Sequence, residues 1–143
     1  MRDRSSVVII ENEKSVLIQR IRDGSIYYVF PGGGIEKGET PQAGAKREAL
    51  EELGVEVKVN ECISKVEFNG TQYFFLSEII SGTLGTGQGE EYTDEKRGRG
   101  TYLPMWVSIE SLSSIDVRPN EVALKVQSLI TKNTLSSMRS LPR

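Results

Sequence analysis

Histidine is missing altogether from this chain of 143 residues. That excludes imidazole bases, histidine zinc sites, phosphohistidine intermediates and histidine-dependent triads, so any acid, base or metal ligand is mainly carboxylate. Cysteine occurs once, at Cys62. No intrachain disulfide and no cysteine metal cluster can form, and Cys62 reads as a buried apolar residue. A basic excess is lacking too: the formal net charge is −2, which speaks against duplex nucleic acid as a partner. No apolar run approaches the roughly 20 residues that span a bilayer. "MRDRSSVVII" has neither the extended apolar region nor the cleavage site of a signal peptide. These absences predict a cytoplasmic chain without membrane association; monomer and homodimer both stay open.

What is present fits one globular domain, with 37% hydrophobic and 27% charged residues. The domain is expected over residues 1–131, with 132–143 as a frayed tail. "SVVII" (6–10) and "SVLIQRI" (15–21) flank the charged turn "ENEK" and predict a hairpin. "SIYYVF" (25–30) is a third strand, stopped by Pro31 and the glycines. "VEVKV" (55–59), "ISKVEF" (63–68) and "TQYFFLSEII" (71–80) follow, the last two joined by the turn signal Asn69-Gly70. Residues 81–100 hold six glycines and no apolar periodicity, which predicts a long loop of functional kind. A strand over 101–107 and a helix over about 120–130 close the domain.

Between the third and fourth strands lies "PGGGIEKGETPQAGAKREALEELGVEV", with six glutamates. Thr40 as N-cap, Pro41 at the first helical position and Gly54 as stop predict a helix over about 41–53. At about 100° per residue Glu48, Glu51 and Glu52 share one arc, while Ala43, Ala49, Leu50 and Leu53 face the core. Gly44 and Ala45 leave the glutamate face uncovered. Like charges at i,i+3 and i,i+4 each cost about 0.2–0.5 kcal/mol, and they lie in the half of the helix where its dipole disfavours them. Arg47 offsets part of this, and a divalent cation would offset the rest. Carboxylates without histidine or cysteine select Mg²⁺, Mn²⁺ or Ca²⁺. A merely solvated acidic face is the competing reading. A phosphate-binding P-loop is excluded, because Glu39 stands where that motif requires lysine.

Gly33, Glu39 and the run Arg47-Glu48-Ala49-Leu50-Glu51-Glu52-Leu53-Gly54-Val55 together resemble the Nudix box, G-x5-E-x7-R-E-U-x-E-E-x-G-U with U aliphatic. Every charged and glycine position agrees, and Ala49 is a small occupant of the first aliphatic slot. The resemblance implies an α/β/α sandwich around a mixed sheet. It implies hydrolysis of a nucleoside diphosphate linked to another group, a small nucleotide being the partner. It further implies Mg²⁺, with Mn²⁺ as the alternative, held by Glu48, Glu51, Glu52 and the carbonyl of Gly32, with Arg47 orienting Glu39.

The general base is open between Glu90 or Glu91 in the long loop and Glu39 or Glu52 in the box. Tyr28, Tyr73 and Arg99 are candidates for substrate contact, drawn from a wider set that includes Tyr27, Phe68, Phe75, Tyr92, Arg97 and Arg118; strand aromatics are as often core as site. Trp106 is expected in the core. Two other functions compete: a nucleotide sensor of the same fold without turnover, and an acidic interaction domain.

Overall fold

The computed structural model describes residues 2–84, 93–94 and 100–139. Strand β1 (Arg4–Glu11) turns at Asn12 and Glu13 into β2 (Lys14–Arg22), the hairpin expected at "ENEK". β3 (Ser25–Val29) follows, then a three-residue strand of glycine alone, β4 (Gly32–Gly34). Helix α1 (Pro41–Leu53) leads into β5 (Val55–Glu67) and β6 (Thr71–Gly82). β7 (Thr93–Asp94), β8 (Gly100–Ser108), a 3-10 helix (Ile109–Ser114), β9 (Val117–Arg118) and α2 (Asn120–Arg139) complete the described chain. No helix among the described residues is long and apolar enough to cross a membrane.

The sheet is mixed, and β1 is its pivot. From Arg4 to Ile9 β1 runs parallel to β6, its first three residues also run antiparallel to β4, and its last two pair with β2. β2 then carries β3 on one edge and β8 on the other, and β9 joins β3 in parallel. Two groups of strands therefore diverge from β1. The pleat sorts side chains between two helical layers. Val7, Ile9, Val16 and Phe75 pack with Ala45, Ala49 and Leu53 of α1. Val8, Leu17 and Phe74 pack with Val122, Ala123 and Val126 of α2. This is the expected α/β/α sandwich, and Trp106 packs against the α1 side as expected.

Several local details differ from expectation for definable reasons. The two strands placed at 55–59 and 63–68 are one strand, β5, whose register shifts at three points against β6. Such bulges interrupt the alternation that marks a strand in sequence. β4 was expected only as a stop, because glycine is depleted in strands. β7 pairs with β8 inside the stretch expected to be a loop, and α2 extends nine residues beyond 130 to Arg139. Cys62 is exposed rather than buried.

α1 has the expected bounds. Thr40 Oγ1 accepts the N–H of Ala43 at 3.1 Å, and Gly54 at φ 75° ends the helix with its N–H donating to the carbonyl of Leu50. Its rotation about the axis differs, however. Gly44, Ala45, Ala49, Glu52 and Leu53 are buried, whereas Ala43 is exposed and Leu50 is 58% exposed. Small residues at 45 and 49 let the helix lie close to the sheet, and that proximity selects the stripe 45/49/53 over the larger Leu50. Leu53→Ala should cost about 2–5 kcal/mol by opening a cavity. Leu50→Ala should stay within about 0.5 kcal/mol, as exposed positions do. Urea titration of both variants checks the rotation, since equal losses would mean that Leu50 faces the core.

Candidate functional site

Thr40, Pro41 and Gly54 hold α1 in register, and that register places Arg47 opposite the glycine strand. Its guanidinium has five N–H donors, and all five are engaged. Nε and Nη2 grip Glu39 at 2.8 and 3.0 Å. The other Nη2 donor reaches the carbonyl of Gly34 at 2.9 Å. Nη1 is shared between Glu48 at 2.9 Å and Glu51 at 3.2 Å. Glu39 also accepts the backbone N–H of Glu36 at 3.0 Å. These bonds hold the Glu39 carboxyl down at about 2, with the Arg47 hydrogen bond the largest cause and the Glu36 N–H the next. The Arg47 guanidinium is pushed up from its ordinary value, mainly by Glu39. A single arginine thus hydrogen-bonds three carboxylates and pairs with a fourth, Glu36, at 3.7 Å, more than the sequence suggested.

Glu52 is turned the other way. It is only 6% exposed and accepts the N–H of Gly32 at 2.6 Å. The glycine strand is therefore tied to α1 at both ends, by Gly32–Glu52 and by Gly34–Arg47. Its middle residue shows why glycine stands there: a Cβ on Gly33 would overlap the Glu48 carboxylate. No side chain separates the helix from the space beyond the strand.

That space is a cavity of about 1000 Å³, large enough for a nucleotide derivative. Glu48 and Glu52 line one end of it with Gly32 and Gly33, while Phe68, Tyr102, Arg20 and Arg118 line other parts. Glu51 is half exposed and lies outside the lining. Tyr28 and Tyr73, expected at the substrate, do not line the cavity either. Tyr28 packs against the α2-side core with its hydroxyl accepting from Gln19, and Tyr73 stacks on Phe75 at 6.2 Å on the α1 side. Strand alternation sends both away from the cavity. Phe68 and Arg118 belonged to the wider set and do line it. Tyr102 and Arg20 were not singled out, since only strand register brings them to this wall. Arg99, Glu90 and Glu91 lie outside the described residues.

Among the described residues no three carboxylates are gathered in metal-holding geometry. The donor set nevertheless fits a hard divalent cation. Glu48 and Glu52 bring carboxylate oxygens to the edge of the cavity where bare glycine backbone leaves room, and Glu51 meets Glu48 at one nitrogen of Arg47. One guanidinium against Glu39, Glu48, Glu51 and Glu52 leaves a formal charge of −3 at neutral pH, and oxygen-only donors suit magnesium or manganese.

The NUDIX domain family matches residues 1–124 of the chain. The chain is 30% identical over 118 residues to the 8-oxo-dGTP diphosphatase of Escherichia coli, covering 80% of this chain and 86% of that protein. It is 36% identical over 62 residues to the RNA pyrophosphohydrolase of Roseobacter denitrificans, 43% of this chain and 39% of that one, so it spans well under half of that relative's length. A solved structure, the NUDIX hydrolase from Nitrosomonas europaea, superposes with TM-score 0.71 at 20% identity over 92% of this chain and 89% of its own.

The low pKa of Glu39 gives a pH test. A carboxyl depressed in the folded state contributes stability that is present above its ordinary value of 4.5 and lost as the pH falls through about 2. Glu39→Gln should therefore be less stable than the parent at pH 6, and the gap should close between pH 4.5 and 2. Urea midpoints across that range check this, and two parallel curves would dissolve the Arg47–Glu39 account.

Proposed function

This chain belongs to the Nudix hydrolase family, and from that premise we propose that it is a divalent-metal-dependent pyrophosphohydrolase. Its substrate in this reading is a nucleoside diphosphate linked to another group, cleaved at the phosphoanhydride bond. The observation that carries the proposal is the pairing of the box carboxylates with one open cavity: Glu48 and Glu52 form its edge against a strand without side chains. The diphosphatase and pyrophosphohydrolase named above give the same bond type as their chemistry.

Glu48, Glu51 and Glu52, with the Gly32 carbonyl, would hold magnesium, or manganese in its place. Such an ion lowers the pKa of a bound water and neutralises charge on the attacked phosphate oxygens. The rest falls to the chain itself. Arg47 holds Glu48 and Glu51 side by side at one of its nitrogens. Its bidentate grip on Glu39 anchors the loop that precedes the helix. Glu39 itself is a poor general base, since a carboxyl titrating at about 2 takes a proton too weakly near neutrality. The base role therefore passes to Glu52, which lines the cavity, or to Glu90 or Glu91. The hydrogen bond from Gly32 fixes which oxygen of Glu52 faces the strand.

A panel of nucleotide sugars, dinucleoside polyphosphates, ADP-ribose and oxidised nucleotides, incubated with Mg²⁺, should yield a nucleoside monophosphate from at least one member. Tight binding without products would instead mark a nucleotide sensor. Glu48→Gln and Glu52→Gln should each lower kcat by about 10²-fold or more. With magnesium at 100 times its Kd the parent should gain about 2.7 kcal/mol over its value in EDTA. Both variants should gain less, and an equal gain with turnover retained would remove these glutamates from the site.

A further inference from the structure

The cavity that Glu48 and Glu52 edge also has an apolar wall, and one ring in that wall is uncovered. Val66 and Phe68, at the end of β5, line it together with Gln72 and Phe74 of β6. Val66 pairs with Gln72 across the two strands and packs against the core that holds Phe30 and Phe74. The aromatic rings of the lining differ in what lies on them. Phe30 and Phe74 are buried and meet edge to face at 5.8 Å. Tyr102 has one face taken by the Arg20 guanidinium, 3.5 Å from its centre. Phe68 is 67% exposed, and among the described residues no ring or cation stacks on it.

A single exposed phenylalanine is ordinary on a protein surface. This one stands in a cavity wall and is held in place. Its N–H donates to the carbonyl of Gly70 at 2.9 Å, and its own carbonyl accepts from Gln72 Nε2 at 3.3 Å. The turn beyond it is fastened to the residues that lead into β1: the N–H of Arg2 donates to the carbonyl of Asn69 at 3.1 Å, and Asp3 Oδ1 accepts the N–H of Thr71 at 2.9 Å. The carbonyl of Asp3 accepts the N–H of Ile35 at 2.9 Å, next to the pairing of Arg4 with Gly34. Asp3 therefore joins the turn that carries Phe68 to the glycine strand that meets Glu48 and Glu52. Its side chain holds one and its backbone the other.

We propose that Phe68 is the platform on which the nucleobase of the substrate stacks, and that Asp3 is the positioning residue that sets its distance from the Glu48/Glu52 end. This rests on the pyrophosphohydrolase reading for what occupies that end. Phe68 has no hydrogen-bonding group, so it takes the face of a base and not its edge. A ring already fixed by its turn loses little freedom when the base arrives.

The test is one of binding and needs no turnover. The full chain is titrated calorimetrically, with Mg²⁺ present, with methylenediphosphonate and with the methylene-bridged analogues of ADP and GDP. At least one nucleotide analogue should bind about tenfold tighter than methylenediphosphonate. Phe68→Ala should shrink that gain to within about twofold and leave the affinity for methylenediphosphonate unchanged. Phe68→Trp should keep the gain, and its added indole emission should be quenched by the nucleotide analogue but not by methylenediphosphonate. Asp3→Ala should weaken the nucleotide analogue several-fold, and Asp3→Asn, which keeps an acceptor oxygen, should restore it. In the Phe68→Ala background Asp3→Ala should add nothing further. No gain in the parent, or a gain that Phe68→Ala retains, overturns the platform. Equal losses from Asp3→Ala with and without the Phe68 ring overturn the positioning role. Hydrolysis is assayed separately. A gain lost in Phe68→Ala without any turnover by the parent would support the platform and defeat the hydrolase reading, and turnover with the gain retained would do the reverse.

Discussion

Everything at the candidate site hangs on the Arg47 guanidinium. Glu39 lies just before the helix cap, Glu48 and Glu51 lie on the helix itself, and Gly34 lies on a strand from the other side of the intervening loop. One rigid fork of donors joins all four. Lysine could not replace it, since a single ammonium offers no planar set of five directed donors. The arrangement also accounts for the tolerance of so many like charges. Hydrogen bonds from a permanently charged group favour the ionised carboxylate, and the Glu39 carboxyl held near 2 is the direct expression of that.

The glycines are the counterpart of these carboxylates. A Cβ at Gly33 would overlap the Glu48 carboxylate, and one at Gly44 would come within 3.1 Å of a Glu39 oxygen. One at Gly34 would strike the side chain of Arg2, and one at Gly32 the backbone of β1. At Gly32 the backbone of β1 occupies the place of a side chain, and at Gly33 and Gly44 carboxylates held by Arg47 do, whereas the Arg2 side chain beside Gly34 is free to move aside. With Ala45 and Ala49 under the helix, this lets α1 sit close enough to the sheet for Glu52 to be buried against a backbone N–H. A large residue at Ala45 or Ala49 would lift the helix from the sheet, and one at Gly33 would displace the Glu48 carboxylate.

How much of this could be read in the sequence depends on the range of each signal. The bounds of α1 were legible because Thr40, Pro41 and Gly54 act within a turn of the ends they set. The box residues were legible through their spacing, although their partners were not; nothing in the string says that Arg47 would reach Gly34. The rotation of α1 was misjudged because Leu50 outweighs alanine on any hydrophobic scale, whereas close packing favours the smaller stripe. β4 was hidden by its composition, and the unity of β5 by its bulges. Tyr28 and Tyr73 were chosen for their chemistry, yet the face that each presents depends on strand register. Register likewise unites Tyr102, Arg20 and Tyr27, residues separated by as many as 82 positions along the chain.

The cavity itself follows from the change of partners along β1. Its first residues pair with β4 and β6, its last with β2, and the sheet must part between them. Alternation along β1 sends Val7 and Ile9 toward α1 and Val8 toward α2, and by the same rule Arg4 and Ser6 toward the parted region, where both line the cavity. A side-chain-free strand fills the near edge of the gap, so α1 can reach it with two carboxylates, while β1, β2, β8 and β9 add Arg4, Arg20, Tyr102 and Arg118 to the lining. Opposite charges in one cavity need no separate domain or inserted loop among the described residues. They arise because a single strand changes partners along its length, so that residues from α1 and from both groups of strands reach the space between.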